Sequence, residues 1–261
     1  MSLEWLVLAC APILGHVLYG IPPDRDESRD SRVTLHNGDD FSVRDEAPYP
    51  ERLRSIRAVS DDGAVVPLAA AGRRASGVTI DVGSVRNRPC WVVVETPKTF
   101  IELEPEKFRA YLQQEGLNEV IRQRTSAGRL DAVGREIYSK YAKIALSAAG
   151  GELQLPRRPV GLPIEIVPLL EGVLTIESSL PVRVLVGGRP AASIQVRVSH
   201  RAAEAGEPST DVIYRTDPNG EASINVHRSG LWRLHTISMA ACPDPVQADW
   251  ESIWASLTFR L

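Results

Sequence analysis

The stretch Pro181-Val182-Arg183-Val184-Leu185-Val186-Gly187-Gly188, followed shortly by Ile194-Gln195-Val196-Arg197-Val198, decides the fold class. Apolar and polar side chains alternate with period two in both runs, the pattern of a strand with one buried face. Gly187 and Gly188 can both take positive φ, as a tight β-turn requires, so the two runs are expected to pair as a hairpin. Downstream, 211–216 and 222–226 flank Asp217-Pro218-Asn219-Gly220. Pro218 suits position i+1 of a type I turn and Gly220 suits i+3, which predicts a second hairpin. The run at 253–261 alternates again, with Ile253, Ala255, Leu257, Phe259 and Leu261 on one face and Trp254, Ser256, Thr258 and Arg260 on the other.

Working upstream, 161–168 reads as an edge strand because Pro163 and Pro168 are tolerated there. The Pro-rich 156–160 reads as an extended connector and domain boundary. Before it, strand-like runs recur at 33–35, 53–59, 65–66, 78–82 and 91–94, with a turn at Asp61-Asp62-Gly63. After Glu104-Pro105 the period changes: Phe108, Leu112, Leu117, Val120 and Ile121 fall near helical spacing, and Gly116 interrupts them. A helix pair or broken helix is expected over about 105–124. The run at 137–149 fits either period and is read as a strand. The expectation is a mainly β protein of two sandwich domains, Ig-like or prealbumin-like, over 16–155 and 160–261, with the helical insertion appended to the first.

A chain of 261 residues suits two domains. Its net charge of −3 comes from 30 basic and 33 acidic residues, too balanced a set to hold phosphate backbones, so nucleic acid is not an expected partner. The segment from Leu3 to Tyr19 is mostly apolar, and Ala9-Cys10-Ala11-Pro12-Ile13-Leu14-Gly15 has the outline of a secretory cleavage zone. A signal peptide over 1–15 and export to the periplasm or outer envelope face are expected, with no stable membrane span left in the mature chain. Val7-Leu8-Ala9-Cys10 also has the outline of a lipoprotein box, which would add a lipid anchor. Cys90 and Cys242 are too few for a disulfide framework; one bridge or two free thiols both fit.

The segments 106–117 (EKFRAYLQQEGL), 135–143 (REIYSKYAK), 162–168 (LPIEIVP), 216–220 (TDPNG) and 249–259 (DWESIWASLTF) stand in this order and spacing. Together they resemble a bacterial envelope family of unknown function labelled nickel-uptake-related, or NikM-like. The resemblance implies an exported, largely β protein whose C-terminal part is like transthyretin-type or carboxypeptidase-regulatory sandwiches. It further implies an accessory role in nickel or cobalt uptake, with an envelope transport component as partner. Family members often place a His at the start of the mature chain, and His16 after Gly15 occupies that place. A terminal His chelates through its α-amine and imidazole together, a nitrogen donor set suited to Ni or Cu.

His235 and Met239 are further candidate metal ligands, although a strand would set them about 13 Å apart. Trp232, Trp250 and Trp254 are candidates for stacking on sugar rings if they line an exposed groove, with core and rim packing the favoured role. Asp249 and Glu251 could act as acid and base only in a shared pocket, and capping the last strand is the simpler role. No phosphate-binding glycine loop, His-Glu-x-x-His helix or Gly-x-Ser-x-Gly elbow occurs, so no catalytic residues are assigned. The function expected is a non-catalytic exported binding protein, with a structural or glycan- or protein-interaction sandwich as the alternative.

Overall fold

The computed structural model describes residues 17–24, 31–39, 41, 48–74, 77–86, 88–148, 151–202 and 210–261. The leader read over 1–15, and His16 after it, lie outside them. In chain order, β1 (Val17–Ile21), β2 (Arg32–Gly38), β3 (Ser55–Ser60), β4 (Val65–Pro67), β5 (Ala70–Arg74), β6 (Gly77–Asp81), β7 (Cys90–Glu95) and β8 (Thr99–Leu103) precede α1 (Pro105–Gln114) and α2 (Asn118–Ser126). Then follow β9 (Gly134–Leu146), β10 (Ile164–Pro168), β11 (Ser178–Val186), β12 (Arg189–Pro190), β13 (Gln195–Ala202), β14 (Thr210–Arg215), β15 (Glu221–Val226), β16 (Gly230–Ala241) and β17 (Trp250–Arg260). The protein is mainly β. The break at Gly116 does divide the helical segment in two, and 134–146 is a strand. No helix among the described residues is long and apolar enough to cross a membrane.

The run Cys90-Trp91-Val92-Val93-Val94 is apolar at every position and fully buried, so β7 must be covered on both faces. It lies inside a nine-stranded sheet of order β14-β13-β16-β17-β9-β7-β3-β4, with β8 added to β9. On one face, Trp91 and Val93 join Tyr141, Val196, Val198, Leu234, Leu257 and Phe259 against the four-stranded sheet formed by β10, β11, β12 and β15. On the other, Cys90, Val92, Val94, Ala142, Ile144 and Leu146 pack against the sheet β1-β2-β6-β5. Farther along that second face, Phe108, Tyr111, Leu112 and Val120 of the helices cover Ile237, Trp250 and Trp254. The result is a three-layer β-sandwich with the helices filling part of one outer layer.

The expected boundary at 156–160 does not separate two sheets. β9, from before it, pairs in parallel with β17, from after it, over nine residue pairs from Trp250↔Glu136 to Thr258↔Ile144. The connector itself is pinned: Glu165 accepts the backbone N–H groups of Val160 at 2.9 Å and Gly161 at 3.2 Å. Glu165 also pairs with Lys143 of β9 at 2.8 Å, both side chains being at most 2% exposed. Lys143 donates to Ile166 O at 2.9 Å and lies over the Trp91 ring. A buried pair with this many hydrogen bonds fixes register between layers rather than adding a surface attraction.

Both expected hairpins are corrected. The turn at Gly187-Gly188 forms, with φ of 57° and 74°, but it returns into the two-residue β12; β13 crosses to the central sheet and pairs with β14 and β16. The turn at 217–220 also forms, Gly220 N donating to Asp217 O at 3.0 Å, yet β14 stays in the central sheet while β15 pairs with β11 opposite. Alternation specifies which side chains point inward; it does not specify the neighbouring strand, and Val182 and Val196 reach the same core from opposite sheets. The face expected for 253–261 is as read, and β10 is an edge strand. Cys90 and Cys242 are unbridged, and burial pushes the Cys90 thiol up to about 11.

Candidate functional site

The helix α1 ends because Gly116 takes φ of 67°, a conformation favouring glycine. Gly116 N donates to Gln113 O at 3.1 Å and Leu117 N to Leu112 O at 2.9 Å, the paired bonds of a Schellman cap with an apolar Leu112 to Leu117 contact. The carbonyl of Gln114, left over by the cap, accepts from Gln195 Nε2 at 3.0 Å and Arg197 Nη2 at 2.7 Å, both on β13. A cation at a helix C-terminus is favourable, so the same contacts dock the helix end on the sheet.

This arrangement carries Glu115 inward, 5% exposed, with Arg197 Nη2 3.1 Å and His235 Nε2 3.4 Å from its carboxyl oxygens. Burial is the largest influence on that carboxyl and raises its pKa; His235 and Arg197 together outweigh it and hold the group below its ordinary value. Nδ1 of His235 lies 3.1 Å from Ala255 O, which can only accept, so this nitrogen carries a proton. Above the cluster opens a cleft of about 550 Å³ between the α1–α2 turn and the ends of β13 and β16. Glu115, Asn118, Ser193 and Gln195 give it a polar side, and Leu117, Ile237 and Met239 an apolar one.

The sequence-derived candidates fall in three places. Met239 lines the cleft, and His235 lies behind Glu115 at 1% exposure. Nδ1 of His235 faces Ala255 O and Nε2 faces the Glu115 carboxylate 3.4 Å away, and His235 does not line the cleft with Met239. Among the described residues, no group of three His, Cys, Asp or Glu side chains could hold a metal ion.

Trp232, Trp250 and Trp254 are 2%, 7% and 5% exposed, and they form no groove. Trp232 stacks on Phe259 and donates to Arg228 O; Trp254 stacks on Tyr111 and donates to Ser252 Oγ at 2.9 Å. Ser252 and Tyr111 in turn donate to the buried Glu136, and a carboxylate so placed needs those donors. Asp249 and Glu251 are ion-paired with Arg129 and Lys98, separate structural roles. Glu115, Gln195 and Arg197 were not singled out from the sequence. The readable signal was Gly116 at a helix end, which places the residue before it at the cap.

A mainly β, layered sandwich with a helix-capped cleft is thus the class of protein that fold and site define. The chain belongs to the family described as Domain of unknown function (DUF4198), which matches residues 14–240. No curated protein matches. Among solved structures, the chain is similar to the crystal structure of a tetra-tandem repeat in the extending region of a large adhesion protein, with 11% identity and a TM-score of 0.25. That match covers 94% of this chain, which spans about half (49%) of the other.

Proposed function

We propose that the chain is a non-catalytic, exported binding protein that holds a small organic ligand in the cleft between the α1–α2 turn and β13 and β16. The observation that carries this reading is the cleft's construction. Its volume of about 550 Å³ lies in the range of ligand pockets, and its floor is fixed by the Glu115, Arg197 and His235 cluster and the Schellman cap. The charged groups under it are engaged with one another, which suits holding a ligand better than turning one over. A polar side facing an apolar side favours a short peptide or oligosaccharide segment.

The envelope location and a role beside nickel or cobalt uptake rest on the apolar leader and on the family resemblance, with His16 as the metal donor. The test uses the processed chain, its N-terminus sequenced, in calorimetry against short peptides, oligosaccharides, Ni and Co. Ala192 also lines the cleft, and saturable binding of a peptide or oligosaccharide that Ala192→Trp abolishes by filling it supports the cleft reading. Retention of that binding in Ala192→Trp, or its absence from the unmodified chain, overturns it. Metal binding lost in His16→Ala would carry the uptake role instead.

A further inference from the structure

β14 closes one end of the nine-stranded sheet and, among the described residues, pairs only with β13. A terminal strand presents a row of backbone donors and acceptors, and proteins blunt such edges with proline, bulges or very short strands. Four of the other edges here show those devices. β4 is three residues ending in Pro67, β12 is two residues with Pro190, β10 ends in Pro168, and β5 carries a register shift between Ala70 and Gly72. β15, also at a margin, turns Ser223 and Asn225 to solvent. β14 has none of these: over 211–215 it contains neither proline nor glycine, and Val212 and Ile213 are 49% and 59% exposed.

The sequence of this edge is complementary to itself. Laid antiparallel against a second copy and centred on Ile213, it sets Asp211 opposite Arg215, Val212 opposite Tyr214 and Ile213 opposite Ile213, and then the same pairs in reverse. Each copy thus meets an opposite charge at both ends and an apolar or aromatic partner between, the cross-strand combinations that stabilise a ladder. The two-fold axis through Ile213 closes the contact, so no further copies add. We propose that β14 is the pairing edge of a symmetric dimer in which two central sheets join antiparallel through residues 211–215. Arg215 also donates to Ser193 O at 2.7 Å within its own chain, which holds the guanidinium at the edge and leaves other N–H groups for the partner's carboxylate.

Charge exchange tests this without disturbing the core, because Asp211 and Arg215 are exposed. Sedimentation equilibrium of the unmodified chain should give twice 28.6 kDa as concentration rises. Asp211→Arg alone, and Arg215→Asp alone, should each weaken association by about ten-fold or more, since two like-charged pairs then face each other. Mixing those two variants should restore a dimer, because every pair across the axis is again opposite in sign, and the double variant should dimerise by itself. A mass that stays at 28.6 kDa at the highest concentration reached overturns the proposal. So does a dimer indifferent to the single exchanges, or single variants whose mixture stays monomeric while each retains the circular dichroism of the unmodified chain.

Discussion

His36 stands half-buried on β2 with its ring stacked on Tyr19 at 5.3 Å. Burial, and then the charge of Arg201, lower its pKa from 6.5 to about 4. Between those values the unfolded chain binds the proton and the folded chain does not, so folding stability falls as pH drops from 6.5 towards 4. With allowance for solvent screening of a half-buried ring, the loss is about 1–2 kcal/mol. His36→Gln should remove that share of the acid sensitivity, read as the difference between urea midpoints at pH 7 and pH 4.5. At this scale the sequence showed the residues but not their partners. His235 and Met239 stood out by type, yet the partner of His235 is Glu115, 120 positions away, and no local pattern joins them. The three tryptophans were visible as large aromatics, and burial decides their role only once the facing layer is known.

Gly116 controls how α1 meets the central sheet. A Cβ there would lie 2.4 Å from Gln195 Oε1 while φ stays at 67°, so Gly116→Ala incurs both backbone strain and displacement of the side chain that caps Gln114 O. The expected cost is about 1–3 kcal/mol, with loss of cleft binding greater than loss of helix by circular dichroism. Lys143 and Glu165 make the second such junction, between β9 and β10. Lys143→Met leaves a buried carboxylate unpaired and should lower stability by about 3–5 kcal/mol. Adding Glu165→Gln should recover part of it, because the amide oxygen can still accept from Val160 and Gly161 without a charge, and denaturant titration reads both variants. Turn chemistry at 187–188 and 217–220 was legible because glycine and proline act locally. The pairing of β13 and β15 was not, since crossing from one sheet to the other depends on a core assembled from segments far apart in sequence.

Across the whole molecule, one sheet carries strands from both sides of the connector, and its two faces hold both large cores. Unfolding either half would expose the other half's apolar face, so calorimetry should show a single transition with matching calorimetric and van't Hoff enthalpies. Two resolved transitions would contradict the shared sheet. Composition and period were enough to read a mainly β protein with a helical interruption. The division into two sandwiches followed from length and a Pro-rich connector, and neither reports a parallel pairing across it. That pairing also has a consequence in time. β17 leaves the ribosome more than a hundred residues after β9, so the nascent chain must carry an apolar strand with an open flank for several seconds at ordinary elongation rates. Refolding should accordingly be slow, limited by long-range closure rather than by its turns, and a holding chaperone that covers β9 should raise the yield of native protein without changing its final stability.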